Sequence, residues 1–224
     1  MNFDWQPLVL SFKLAGVTSA VLQLLGTPIA YWLASSRGRL KPVLEAALAM
    51  PLVLPPTVLG FYLLVAFSPQ GALGAFLDKV FGLRLVFSFE GLVVASVIAT
   101  LPFQVQPVQA GFESLPKSLR EVAYTLGLSR WQTFWRVLLP NVKPALLAGA
   151  VLSFAHTVGE FGVVLMIGGS LPGVTRVASI AIYDEVAALN YAAAHVYALT
   201  LVAFCFAVLL LAYALKLRQW RDCP

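Results

Sequence analysis

Residues Glu121 to Pro140 read EVAYTLGLSRWQTFWRVLLP, and the rest of the chain is organised around this run. Leu119, Val122, Ala123 and Leu126 fall at the i, i+3, i+4, i+7 spacing of one helix face, and Ser118 with Glu121 has the form of a capping box. Gly127 is the expected helix stop. Ser129 and Gln132 repeat the box, and Trp131, Phe134, Trp135 and Leu138 repeat the apolar spacing until Pro140, which is expected to end the second helix. The pattern predicts two short amphipathic helices hinged at a glycine, a shape suited to a membrane surface or to a groove on a partner.

The flanking sequence is far more apolar than this hairpin. Hydrophobic residues make up 60% of the chain and charged residues 11%, against about 25% charged in soluble domains. Mean hydropathy is +0.86. The chain therefore reads as an all-α integral membrane protein. Segments near Leu8–Ala34, Val43–Phe67, Gly91–Ala110, Pro144–Ile167 and Tyr191–Leu215 each reach the ~20 residues that a bilayer helix needs, giving about five spans.

The net charge of +5 is topological. Arg37, Arg39, Lys41, Lys117, Arg120, Arg130, Arg136, Lys143, Lys216, Arg218 and Arg221 fall on one side of such a bundle. Lys79, Arg84 and Arg176 fall on the other, with Lys13 inside the first span. The positive-inside rule then puts the N-terminus outside, the C-terminus in the cytoplasm and the loop 115-140 in the cytoplasm. Nucleic acid is not needed to explain the basic balance, and membrane lipid is the expected surroundings. The N-terminus has no basic n-region of a cleaved signal peptide. Cys205 and Cys223 are too far apart along a helix, roughly 27 Å, to form a disulfide.

Several intramembrane residues carry two open readings. Lys13 either snorkels to the interface or serves the pathway. A kink is expected near Gly26-Thr27-Pro28. Pro51, Pro55 and Pro56 break the second span and leave freed carbonyls, which must face protein or a water-filled cavity. They line a pathway or merely bend a helix. Gln104, Gln106 and Gln109 either glue helices or wet a cavity. His156 and Glu160 share one helix face at i and i+4, within Gly159-Glu160-Phe161-Gly162, as a packed pair or as a gate. This spacing without further ligands gives no metal site. In the outer segment, Arg176 either attracts an anion or docks a partner, or is ordinary solvated charge, and VASIAIYDEVAAL reads as a short interfacial helix.

No G-x-x-x-x-G-K-[ST], G-x-S-x-G or H-E-x-x-H motif occurs, so the chain is not expected to hydrolyse ATP or perform covalent chemistry. Energy for uphill transport has to come from another subunit. A stand-alone channel or carrier and a lipid-bound scaffold are the rivals from other classes.

Glu121-x-Ala123-x-x-x-Gly127, nine residues, Val137, then Leu139-Pro140 resembles the EAA signature of membrane subunits of binding-protein-dependent ABC importers. Val122 stands for the first alanine of that signature and Val137 for its usual isoleucine. PLVLPPTVLGFYLL (51–64), FAHTVGEFGVVLMIGGSLPGVTR (154–176) and SIAIYDEV (179–186) are similar to molybdate permeases within that family. Sulfate permeases are related but commonly longer, with an additional span; thiosulfate and tungstate are further alternatives as cargo. The resemblance implies one transmembrane permease domain over 1-224 in a bacterial inner membrane, working as a homodimer. It also implies two cytoplasmic ATPase subunits that bind ATP and Mg, and an external oxyanion-binding protein. This chain itself would hold no cofactor. Glu121, Ala123, Gly127, Leu139 and Pro140 would shape the ATPase-coupling loop, while Pro55, Pro56, His156, Glu160 and Arg176 are the pathway or gate candidates.

Overall fold

The computed structural model describes residues 4–36 and 38–221, with side chains described through 210 and at 214. Arg37 and Cys223 lie outside the described residues, as do the side chains of Lys216, Arg218 and Arg221. Among the described residues every regular element is helical.

Three helices are long and apolar enough to cross a bilayer: α1 (Gln6–Ser35), α5 (Phe89–Glu113) and α12 (Tyr191–Arg221). Helix α1 runs unbroken through Pro28. Helix α5 starts cleanly because the Ser88 hydroxyl accepts from Gly91 N–H at 3.1 Å.

The second expected span is broken, as its prolines predict. Helix α2 (Lys41–Val53) and α3 (Pro56–Phe67) meet at 111°, with Leu54 and Pro55 extended between them. Pro56 then opens α3, where its missing N–H costs nothing. The fourth expected span, Pro144–Ile167, is not one helix. It divides into α9 (Lys143–Gly159) and α10 (Gly162–Gly168) at Glu160-Phe161. The Glu160 carboxylate accepts from Val163 N–H at 3.2 Å, a side-chain bond that replaces a helical one at the break.

Between these lie three shorter helices: α4 (Ala72–Phe81), α6 (Lys117–Thr125) and α11 (Ala178–Ala187). The expected interfacial helix is α11, but it is packed into the bundle. Ala178, Ile180 and Ala181 are buried, and Ala178 N–H donates to Ser11 Oγ at 2.8 Å.

Helices α1, α5 and α9 form the centre of the bundle. At the end where α1 begins and α3 finishes, Leu10, Leu14, Phe67, Leu92, Val163 and Ile167 share one apolar cluster. At the opposite end Leu33, Val105, Val108, Phe112, Phe134 and Leu138 share a second. Between the two clusters the central helices bury Thr18, Ser96, Thr100, Gln104, Ser153 and Thr157. Close approach there depends on small residues: a Cβ on Gly26 would come within 2.8 Å of Gln104 Cγ, and one on Gly149 within 2.8 Å of Gln104 Oε1. A polar clasp closes the second end. Lys41 Nζ donates to Glu113 at 2.9 Å, and Gln109 donates to Glu45 at 2.6 Å and to Glu113 at 3.0 Å.

Candidate functional site

The hairpin foreseen at 121–140 forms, with two changes in detail. Helix α6 begins at Lys117 behind an extended Pro116, so Ser118 lies inside its first turn. The Ser118–Glu121 box is therefore not made, because Glu121 N–H, the donor Ser118 would cap, lies beyond the first turn, where the helical ladder serves it. Glu121 is exposed, and among the described residues no hydrogen bond or ion pair reaches its carboxylate.

Gly127 stops α6 as expected. It has φ +77°; its N–H donates to Tyr124 O at 3.0 Å, and Leu128 N–H donates to Ala123 O at 3.1 Å. These are the two bonds of a Schellman turn. The Ser129–Gln132 box is complete, with both reciprocal bonds present.

Pro140 does not end the second helix. Helix α7 (Arg130–Thr133) continues through a π turn at Phe134–Leu138 into α8 (Leu139–Asn141), so the helical run spans Arg130–Asn141. Leu139 N–H reaches back to Phe134 O, and the wider turn accommodates a proline that has no donor of its own. The chain bends by 70° after Asn141, at Val142, and enters α9.

The hairpin has one anchored side and one bare side. Phe134 packs on Tyr31 and Phe112, with ring centroids 4.8 Å and 6.1 Å away, and Leu138 is buried beside them. Arg120 lies over the Tyr31 ring at 5.5 Å and reaches Ser35 Oγ at 3.4 Å, tying α6 to the end of α1. Ala123 is buried within the chain itself, so its small size serves the hairpin's own packing. On the bare side Val122, Leu126, Trp131 and Trp135 are 55%, 75%, 70% and 50% exposed. A shallow groove of about 360 Å³, lined by Leu119, Val122, Leu126, Leu128 and Val137, runs along α6. The sequence spacing placed Trp131, Phe134, Trp135 and Leu138 on one apolar stripe. It did not separate the two that anchor from the two that stay exposed, whose rings touch Phe134 and each other.

The second site is where the two broken spans meet. Helices α3 and α10 touch so closely that a Cβ on Gly162 would lie 2.7 Å from Pro56 Cβ, and one on Gly60 would lie 2.8 Å from Met166 Cβ. Glu160, 6% exposed, ends α9 beside this contact. Its Oε2 lies 3.2 Å from His156 Nε2, its backbone carbonyl accepts from Ser179 Oγ at 2.7 Å, and its N–H donates to Thr157 O at 3.3 Å. Phe103 stacks on the His156 ring at 4.1 Å between centroids. Sequence reasoning named Pro55 with Pro56 in one span and His156 with Glu160 in another, and the fold brings the two breaks together through the contact of Gly162 with Pro56. Phe103 and Ser179 were missed, since nothing in their spacing marks a ring stack or a bond to a distant carbonyl.

Arg176 is not part of this cluster. Its Nε donates to Asp184 at 3.0 Å and its Nη2 to Glu185 at 3.4 Å. Asp184 also accepts from Ser170 at 2.7 Å, and Glu185 from Asn190 at 2.8 Å. The guanidinium pins the segment around α11, with its charge already matched by carboxylates. Lys13 Nζ lies 4.6 Å over the Phe89 ring, so an aromatic face meets its charge. Among the described residues no cluster of His, Cys, Asp or Glu has metal-binding form.

Apolar spans, two of them broken against each other, and an aromatic hairpin bare on one side define a polytopic membrane subunit built to work with a partner. The chain belongs to the family described as the binding-protein-dependent transport system inner membrane component, which matches residues 26–221. It is 50% identical over 212 residues to the molybdenum transport system permease protein ModB of Azotobacter vinelandii, covering 94% of this chain and 93% of that one. The sulfate transport system permease protein CysT of Escherichia coli is 36% identical over 213 residues, covering 95% and 74%. Among solved structures the inward-facing MetNI methionine ABC transporter has the same fold, with TM-score 0.73 at 16% identity over 95% of this chain and 94% of that one.

Proposed function

We propose that this chain is the permease of an ATP-driven molybdate importer in a bacterial inner membrane. Two copies form one pathway, two ABC ATPase subunits bind ATP and Mg on the cytoplasmic side, and an oxyanion-binding protein delivers cargo outside. The whole of 1-224 is one permease domain with the coupling loop 115-140 inside it. Its N-terminus faces out and its C-terminus faces the cytoplasm, in keeping with the basic residues beside the hairpin.

The observation that carries this reading is the hairpin. Exposed Val122, Leu126, Trp131 and Trp135 form an apolar surface that no other helix covers among the described residues, and Glu121 offers an unengaged carboxylate beside it. Gly127 sets the turn that aligns the two helices, while Leu139 and Pro140 lie where the hairpin bends into α9. At the other site, Pro55, Pro56, His156 and Glu160 form a gate where both spans lose their helical bonds, the place where backbone lines a cavity in transport proteins. ATP binding opens or closes that gate only by favouring one arrangement of the bundle over another.

Sulfate is the second cargo reading, on the strength of the likeness to CysT; the higher identity to ModB favours molybdate. Two measurements test the assignment. Labelled molybdate uptake by the assembled importer is expected to need ATP and to resist excess sulfate. Uptake that survives without the ATPase would instead identify a channel or carrier. Tyr124→Cys is expected to crosslink to the ATPase and Val174→Cys is not; the opposite pattern would invert the orientation.

A further inference from the structure

We propose that His156 supplies the hydrogen-bond donor that meets the oxyanion at the paired breaks, and that Glu160 is the positioning residue that orients and charges it. This rests on reading the chain as an oxyanion permease. It adds the atom that touches the cargo.

The argument starts from the carboxylate. Glu160 is 6% exposed within an apolar bundle, where an ionised acid needs a partner of opposite charge. It meets the backbone N–H groups of Val163, at 3.2 Å, and of Phe161, and the imidazole Nε2 at 3.2 Å; of these only the imidazole can bring positive charge. His156 also occupies the last turn of α9, where the helix dipole favours a cation.

That pairing occupies one ring nitrogen. The Phe103 stack covers a face of the ring and fixes its plane. Nδ1 is left without a bond to any described residue, and the side chain is 35% exposed, in contrast to 5% for Glu160. Beside it, a Cβ built on Gly159 would meet nothing within 4 Å, so the chain next to the imidazole borders open space. A protonated ring held by Glu160 therefore presents one N–H outward at the break. A tetrahedral oxyanion is an acceptor on every oxygen, and a charge-assisted N–H is the matching donor. Pairing also masks the Glu160 charge, which would otherwise repel the cargo. Of the other cations named from the sequence, Arg176 is held by two carboxylates and Lys13 lies over the Phe89 ring, so neither serves this break.

The test uses the complete importer, with its ATPase and binding protein, in proteoliposomes. His156→Gln is expected to lower molybdate uptake about tenfold or more, the effect of losing one charge-assisted hydrogen bond. Binding of the ATPase subunits should stay within about twofold, because the coupling hairpin is untouched. His156→Arg, which keeps a cationic donor, is expected to recover most of the uptake, a rescue that a purely structural histidine would not show. Equal loss in the Gln and Arg variants, or wild-type uptake by His156→Gln, overturns the inference and leaves the permease reading standing. A wild-type assembly that carries neither molybdate nor sulfate overturns both. Should the Gln variant fail to assemble, His156→Cys in a chain also carrying Cys205→Ser and Cys223→Ser decides the matter. Molybdate is expected to slow its modification by a cationic thiol reagent during turnover, and an unchanged rate overturns the proposal.

Discussion

Replacing Gly127 separates two explanations for a glycine at the tip of the hairpin: its backbone angle, or the room it leaves for a partner. At φ +77° an L-residue is strained, yet a Cβ built there meets nothing within 4 Å. Within this chain the cost of Gly127→Ala is thus conformational alone, about 1–2 kcal/mol, and Asn costs less because it enters the left-handed region more readily. Relieving the strain means opening the turn and losing the bonds from Gly127 N–H to Tyr124 O and from Leu128 N–H to Ala123 O. One to two kcal/mol is about a 5–30-fold drop in the ratio of closed to open hairpin. Only the closed hairpin offers Val122 and Trp131 together, so the apparent affinity for the ATPase should fall in proportion to the closed fraction, by at most that factor. Titrating the ATPase against solubilised permease measures it, with molybdate uptake per ATP hydrolysed as a second readout. The expected order is Gly, then Asn, then Ala, with membrane insertion unchanged. Ala binding as tightly as Gly would refute the argument. Equal losses for Asn and Ala would show that the partner reads the missing side chain and not the turn.

Two further substitutions test the packing that positions each site. Gly162→Ala sets a Cβ 2.7 Å from Pro56 Cβ and 3.2 Å from Thr57 N, and is expected to cost about 1–3 kcal/mol, read as a lower melting temperature of the solubilised protein. Gly159→Ala, with nothing in its way, is the control and should not lower it. Phe134→Ala removes the ring that seats the hairpin on Tyr31 and Phe112, at about 3–5 kcal/mol, and should expose the Leu126–Leu128 turn to limited proteolysis. Trp131→Ala, on the bare side, should leave proteolysis unchanged while weakening ATPase binding.

The hairpin was legible because its signals are local. A glycine stop, a Ser–Gln box and an apolar stripe all act within a few residues, and each is where the spacing put it, apart from the first box and the stop at Pro140. The box at Ser118 failed because Pro116 starts the helix earlier. The stop at Pro140 failed because the proline follows directly on a π turn, whose shifted ladder already spares the bond that the proline cannot donate. The break at Glu160 was hidden for a different reason. Apolar composition runs straight through Phe161 and Gly162, so hydropathy reads a single span from Pro144 to Ile167. The interruption comes from a carboxylate bonding to Val163 and from Gly162 meeting Pro56, a residue more than a hundred positions away in sequence.

The glutamines of α5 show where periodicity stops being informative. From the sequence, Gln104, Gln106 and Gln109 form one polar run with a single choice between gluing helices and wetting a cavity. At 100° per residue, however, Gln109 sits about 140° around the helix from Gln104, and the two meet different neighbours. Gln109 faces α2 and bonds Glu45 and Glu113, so it is glue. Gln106 borders an open cleft of about 430 Å³ between α2 and α5, beside Glu45 and Glu113. Gln104 does neither: it is fully buried between Gly26 of α1 and Gly149 of α9, and among the described residues no bond reaches its amide. Which face of α5 meets which helix is set by its packing against α1, α9 and α2, all outside the run. The polarity of the three residues is a property of the sequence, and their roles are a property of the bundle.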